Sequence, residues 1–390
     1  MANCGMDRMK TSDFTNCVYR KVTTVLLVIS TSCLEPYNPP EISDSVDILV
    51  VDGFLNSTDS SAVVKLTKAT PLSAPDDIDT GVNALVQIED EEGNFQTLNQ
   101  MSSGYYTLTK MQISTLKRYR VSIVRDNDRR YYSDFINLTT CPPIDSVSYN
   151  LSRQSPGVNI FVNTHDDSGN SEYFQWTFDE TWEYTSKYGT GFKLVSGVVV
   201  PNDLDVHRCY ITKPSTEIHV SSTIHLSTNV IRDYPLVFIP VGSQKVSAKY
   251  SILVQQRAIT KEAYDFWTQL KKSTESLGGL FDPLPSQVLG NVYSANDTSE
   301  PVLGYFSGGQ VQEKRFFLRY SELPMEVRKQ PSIPCQIDSL DFMELSFYPD
   351  ISLIGSYGET LPEGYTTSYG KNCMDCRDDG GVLTRPDFWD

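Results

Sequence analysis

The stretch VDILVVDGFL (46–55) is a short run of aliphatic residues, and it opens a series of similar runs at short spacing. SAVVKLTKA (61–69) follows, then ALVQIEDEEGNFQTL (84–98), in which Val86 and Ile88 alternate with Gln87 and Glu89. The turn residues Asp90-Glu91-Glu92-Gly93-Asn94 make a hairpin tip inside that run. GYYTLT (104–109), RYRVSIV (118–124) and YYSDFINL (131–138) complete the series, and Tyr119, Val121 and Ile123 fall on one face. Alternation with a period of two, broken by polar turns, marks half-buried strands. About seven such strands in roughly 95 residues match the arithmetic of an immunoglobulin-like sandwich. The Cys…Trp…Cys spacing of antibody-type domains is missing from this region, so the match is to the architecture.

Cys141-Pro142-Pro143 stops strand pairing and reads as a domain junction. Longer, more aromatic segments follow: SVSYNL, VNIFVNTHD, EYFQWTFDETWEYTS, KLVSGVVV, STEIHVSSTIHLST, PLVFIPV and KYSILVQQRAI. One segment departs from the β pattern. In TKEAYDFWTQLKKSTESLGG (260–279), Thr260 is an N-cap, Ala263, Phe266, Trp267 and Leu270 share a stripe, and glycines follow the end. An amphipathic helix over 261–275, laid on a sheet, is expected. Residues 280–309 combine turn residues and aromatics without strand periodicity and read as a loop that covers a sheet edge or binds a partner. The fold class expected is all-β, with two immunoglobulin-like or β-sandwich domains over 46–140 and 143–390, the second larger.

Upstream, VTTVLLVISTSCLEPYNPP (22–40) has an eight-residue apolar run, far short of the roughly 20 residues a membrane-crossing helix needs. Arg20 and Lys21 precede it and Ser30-Thr31-Ser32-Cys33 follow, the layout of a secretory signal. Ile29-Ser30-Thr31-Ser32-Cys33 resembles a bacterial lipobox, with Ser30 in place of the usual leucine, so Cys33 is the expected acylated residue. A signal peptide over 1–32, a start as late as Met9, and a proline-containing tether over 33–45 are expected. The simpler alternative is an ordinary signal peptide with an incidental cysteine.

The chain carries a net charge of −16, and the expected signal segment holds four basic and two acidic residues, so its loss takes the charge to about −18. Such a field repels phosphate backbones and argues against nucleic acid as a partner. It also leaves membrane attachment to acyl chains. Five cysteines follow Cys33, namely Cys141, Cys209, Cys335, Cys373 and Cys376. In an oxidising compartment these form disulfides, and an odd count leaves one thiol over. Cys209, Cys335, Cys373 and Cys376 are the candidates, in pairs that spacing does not settle. Cys373-Met374-Asp375-Cys376 lacks a second ligand pair nearby, so a disulfide is favoured over zinc.

No catalytic signature emerges. Ser307 in GYFSGG has the wrong spacing for a nucleophile elbow, and Gly189-Thr190-Gly191 reads as a turn. THDDSGN (164–170) and EDEEGN (89–94) lack the ligand alternation of a calcium loop and read as solvated turns. His219 and His225 are placed in one strand with His165 and His207 elsewhere, and exposed strand histidines are the simpler reading than a metal pair. Asp179, Glu180 and Glu183 with Trp176 and Trp182 suggest a glycosidase pair, but strand parity puts Glu180 with the tryptophans and the other two carboxylates opposite. No cofactor and no enzymatic activity are expected.

The block SILVQQRAITKEAYDFWTQLKKSTESLGGLFDPLPSQVLGNVYSANDTSEPVLGYFSGGQVQEKRFF (251–317), with CLEPYNPP, LVVDG (49–53), CPPIDSV (141–147), FDETWEY (178–184) and the ending CMDCRDDGGVLTRPDFW, resembles the lipoprotein family called domain of unknown function 4249. The resemblance implies an exported outer-membrane lipoprotein of the Bacteroidota, commonly encoded beside SusC-type TonB-dependent transporters. It carries over one residue, Cys33, as the acylated position. From it follows the expected function: a non-enzymatic, lipid-anchored, surface-facing partner of such a transporter that helps capture a substrate. The alternative is an adhesin or envelope structural module without a transporter partner.

Overall fold

The computed structural model describes residues 48–69, 81–125, 128–152, 155–275, 290–325, 327–348, 351–357, 363–370 and 372–389. The expected signal peptide, Cys33, the tether and residues 280–289 of the expected loop lie outside the described residues. Within residues 47–390 the chain is all-β, with one α-helix among the described residues.

The first eight strands are β1 (Leu49–Asn56), β2 (Ser61–Lys68), β3 (Ala84–Asp90), β4 (Phe95–Thr97), β5 (Asn99–Ser102), β6 (Tyr105–Leu108), β7 (Tyr119–Arg125) and β8 (Arg130–Ser133). The next nine are β9 (Ile144–Leu151), β10 (Gly157–His165), β11 (Tyr173–Thr185), β12 (Phe192–Val195), β13 (Val198–Pro201), β14 (Arg208–Pro214), β15 (His219–Ser222), β16 (Val230–Pro240) and β17 (Lys249–Ala258). After the helix α1 (Lys261–Glu275) come β18 (Val292–Ser294), β19 (Val302–Gly309), β20 (Val311–Arg319), β21 (Gln336–Asp341), β22 (Ser352–Leu353), β23 (Gly355–Tyr357) and β24 (Gly364–Tyr369).

The first sandwich has two five-stranded sheets, in the orders β19-β1-β2-β6-β5 and β18-β8-β7-β3-β4. Its inward residues, among them Val51, Leu55, Val64, Leu66, Val86, Ile88, Val121, Ile123 and Phe306, form one buried cluster. Each sheet takes one strand from the stretch 290–309. The sequence reads that stretch as part of a loop that binds a partner or covers an open sheet edge. Instead, β19 lies parallel to β1 from Leu49↔Val302 to Asn56↔Gly309, and β18 pairs with β8. The glycines that made VLGYFSGG look loop-like are required by packing. Gly304, at φ 145°, lies where a Cβ would be 2.1 Å from the Val51 carbonyl oxygen. The first sandwich is therefore not closed by residues 46–140 alone.

The second sandwich stacks a β16-β10-β9 sheet on a β14-β11-β17-β20 sheet, with β15 also paired to β11. Period-two alternation along β11 sends Phe174, Trp176, Phe178, Trp182 and Tyr184 into this core, beside Ile160, Val162, Tyr250 and Ile252. Trp176 is fully buried, donates from Nε1 to Gln256 Oε1 at 2.9 Å and stacks on Tyr234. KLVSGVVV does not extend this sandwich. Its centre, Ser196-Gly197, has positive φ at both residues and folds it into the β12–β13 hairpin. That hairpin, with β22 and the β21-β24-β23 sheet, encloses a small separate core of Leu194, Leu340, Leu345 and Leu353.

Helix α1 spans Lys261–Glu275, capped by Thr260 Oγ1, which accepts from the Ala263 amide. Its apolar stripe buries Ala263 and Phe266, with Phe266 against Tyr305 of β19 and Tyr264 against Tyr173 of β11. The helix thus leans on strands of both sandwiches, more than the single sheet expected. Two disulfides, Cys209–Cys376 and Cys335–Cys373, fasten the C-terminal segment, and Cys141 is a free, buried thiol. Trp389 closes the chain against the second sandwich, donating from Nε1 to Glu183 Oε2.

Candidate functional site

The two sandwiches meet where β17 leaves its sheet and where β19 passes through Gln310 into β20. Beside this crossing lies a cleft of about 380 Å³. One wall is the outward face of β1, β2 and β6. Cross-strand register puts Asp52 opposite Lys65 and Lys65 opposite Tyr105, and then Phe54 opposite Val63 and Asn56 opposite Ser61. The other wall is the end of β17 and the start of β20, with Gln255 and Arg257 beside Glu313 and Val311.

The charges of the cleft differ in how far the protein satisfies them. Gln255 donates to Glu313 Oε1 at 2.8 Å, and Ser61 donates to Asp59 Oδ1 at 2.6 Å. Arg257 lays its guanidinium over the Phe54 ring at 3.9 Å from the centroid, a stacked cation–π arrangement. Stacking uses the face of the guanidinium and none of its N–H groups. Its Nε is buried without a hydrogen-bond partner among the described residues. Asp52 is exposed on the outward face of β1 and opens to the cleft, whose walls desolvate its carboxyl. That desolvation raises its carboxyl above the ordinary range, although Arg257 and Lys65 pull the other way. Burial likewise lowers the Arg257 guanidinium, against the pull of Asp52. Neither Asp52, Lys65 nor Arg257 forms an ion pair among the described residues.

A second cleft of about 390 Å³ lies on the other side of the crossing, lined by Asp134, Asn137, Thr260, Glu262, Tyr305 and Ser307. Burial raises the Tyr305 hydroxyl there. Ser307 belongs to β19, and no histidine lines this cleft among its described residues.

The residues singled out from sequence fall elsewhere. Glu180 is buried and accepts from Tyr250 Oη at 2.8 Å and Lys245 Nζ at 2.6 Å. Glu183 accepts from Trp389 and pairs with Arg208, on the opposite face. Asp179, on that same opposite face, has its carboxyl raised by burial, with Arg315 nearby. The three carboxylates are thus divided between the two faces of β11. His219 departs from the expectation of exposed strand histidines: it is buried beside Phe178, because β15 lies against β11. β15 ends at Ser222, so His225 sits in an exposed turn and shares no strand face with it. His165 hydrogen-bonds Asp145 at 2.8 Å, and His207 meets Ser186. Asp166 organises the THDDSGN turn through the Ser168 and Ser171 amides, and Asp90 organises the EDEEGN tip through Asn94 and Lys117. Cys373 and Cys376 each bond a distant cysteine and not one another. No cluster of three metal-ligating side chains occurs among the described residues.

Asp52, Lys65, Tyr105, Arg257 and Glu313 were missed by sequence reasoning. One signal was present: the polar triplet Gln255-Gln256-Arg257 interrupts the otherwise apolar strand SILVQQRAI. Gln256 turned out to serve the core, and its neighbours the cleft. No curated protein matches the chain. The model of the family described as a domain of unknown function (DUF4249) matches residues 35–315, and the chain belongs to that family.

Proposed function

We propose that this protein is a non-enzymatic outer-membrane lipoprotein, anchored through Cys33 and facing the cell surface, that captures a ligand for a SusC-type TonB-dependent transporter. The observation that carries this reading is the cleft between the sandwiches, where Asp52, Lys65 and Arg257 are held unpaired on strands of two different cores. Small-molecule sites favour domain interfaces and few, well-placed polar groups. An export route is supported by the two disulfides, which belong to oxidising compartments. A role without catalysis is supported by the engagement of Glu180 and Glu183, whose hydrogen-bond partners tie them into the structure.

The test is a mild-detergent affinity purification of the tagged protein from its own outer membrane, followed by mass spectrometry. Recovery of a TonB-dependent barrel in fixed ratio is the expected result. A protein that elutes alone, still acylated at Cys33, overturns the transporter partnership and favours the adhesin or envelope module.

A further inference from the structure

We infer that the cleft between the sandwiches is a binding site for a small monocarboxylate that also carries a hydrogen-bond donor, such as an N-acylated amino acid or a peptide C-terminus. The inference starts from Arg257. A guanidinium presents five N–H donors in a rigid planar fork that matches a carboxylate in two-point fashion. Here the fork is immobilised over Phe54, and its Nε is buried without a protein acceptor among the described residues. Nε is sealed from the cleft, whereas the terminal Nη groups are not and have no hydrogen-bond acceptor among the described residues, so the guanidinium at the wall of the cleft offers N–H donors to an acceptor that the protein itself does not supply.

The neighbours narrow the ligand. Lys65, on the facing wall, adds a second cation. Asp52 sits opposite Lys65 in register and accepts a donor group from the same ligand. Asp59 and Glu313 also line the cleft, so three carboxylates surround the two cations. That balance disfavours a dianion such as phosphate, whose extra charge meets Asp52, Asp59 and Glu313 at short range. A single carboxylate on Arg257 and Lys65 with an adjacent N–H toward Asp52 satisfies the charges on both walls. Phe54, Val63 and Tyr105 add apolar surface for the remainder of the ligand.

The assignment deepens the capture reading above and rests on it for its biological meaning, but its chemistry is tested apart. Saturation-transfer NMR on the detergent-solubilised full chain compares N-acetylglycine with its neutral twin N-acetylglycinamide. The acid is expected to bind at least about tenfold more tightly than the amide, as a charge-assisted contact requires. Arg257→Gln abolishes binding of the acid, and Arg257→Lys weakens it because the planar fork is lost. Equal binding of acid and amide, no transfer from either, or retained binding in Arg257→Gln each overturns the assignment. So does displacement of N-acetylglycine by an equal concentration of inorganic phosphate, which makes the site a general anion trap. A chain that binds N-acetylglycine but purifies without a transporter sinks the partnership and leaves this site standing.

Discussion

Phe306 tests whether the distant strand β19 is part of the first core or only lies against it. Its ring is fully buried in that core, and its Cδ2 would stand 2.8 Å from a Cβ placed on Gly53 of β1. Truncation of a buried phenylalanine costs about 3–5 kcal/mol, from lost transfer and the cavity left behind. Gly53→Ala alone forces the ring aside, an overpacking of about 1–3 kcal/mol. It also reduces chain entropy in the unfolded state, which returns about 0.5–1 kcal/mol. The net is a destabilisation of about 1–2 kcal/mol. In the Phe306→Ala background the new methyl enters the vacated space, with Val64 Cγ2 at 3.5 Å as its next contact. There the same Gly53→Ala change stabilises, by about 0.5–1 kcal/mol. The sign reversal implies a coupling of about 2 kcal/mol, well beyond the near-additivity of independent sites. Urea unfolding followed by far-UV circular dichroism measures all four members of the cycle at constant slope. Tryptophan fluorescence is the wrong probe, because the four tryptophans, Trp176, Trp182, Trp267 and Trp389, all lie outside the first sandwich. A Phe306→Ala cost below about 1 kcal/mol, or additivity within about 0.5 kcal/mol, would refute the packing argument.

Three further outcomes follow from buried or paired groups. Tyr250→Phe removes a hydrogen bond to the buried Glu180 carboxylate and is expected to cost about 1.5–3 kcal/mol in thermal unfolding, with ligand binding unaffected. An unshifted melting temperature would show that Lys245 alone satisfies Glu180. The Asp145 hydrogen bond raises the His165 imidazole above its ordinary value. The stabilisation from this pair is therefore complete below about pH 6.5 and is lost as pH rises through the raised folded-state value. NMR titration should place His165 above the unfolded range and Asp145→Asn should bring it down; a titration unmoved by that change contradicts the pairing. Burial pushes the Cys141 thiol up to about 11. Iodoacetamide at pH 8 should leave Cys141 unmodified in the folded chain and alkylate it in urea, and modification of the folded chain at the unfolded rate would place it at the surface.

The strands that alternate in sequence were legible because burial imposes the same alternation on structure. RYRVSIV places Tyr119, Val121 and Ile123 in the core, and the face of β11 that carries Trp176 and Trp182 also carries Glu180. The helix was legible from its stripe and cap, and its bounds are those expected. The stretch 302–309 was not legible, since β19, the end strand of its sheet, is covered on both faces, Phe306 in the first core and Tyr305 under α1, and period two disappears. Gly304 is required by the backbone of β1, about 250 residues away in sequence, and Gly308 and Gly309 by the segment 136–139. The cleft was illegible for a related reason. Asp52, Lys65 and Arg257 each look like an ordinary outward charge on its own strand, and only the crossing of two sandwiches makes them neighbours.

That crossing also determines what kind of binding site the cleft can be. Each wall is a continuation of a buried sheet: β1 lies between β19 and β2, and β17 between β11 and β20. The chain passes between the cores three times, at Thr139–Pro143, at the β17–α1 corner and at Gln310. Those passages are bonded to one another. Thr139 Oγ1 donates to the Ala258 carbonyl, the Thr139 amide to the Gly308 carbonyl, and the Gln310 amide to the Thr139 carbonyl. These bonds tie the three crossing segments together, and the Arg257–Phe54 stack joins the two walls of the cleft beside them. A site on such a frame holds its charges apart before any ligand arrives, so little ordering entropy is spent at binding. For the proposed monocarboxylate complex, the expected signature is a backbone that matches the free protein and binding limited by encounter and not by closure.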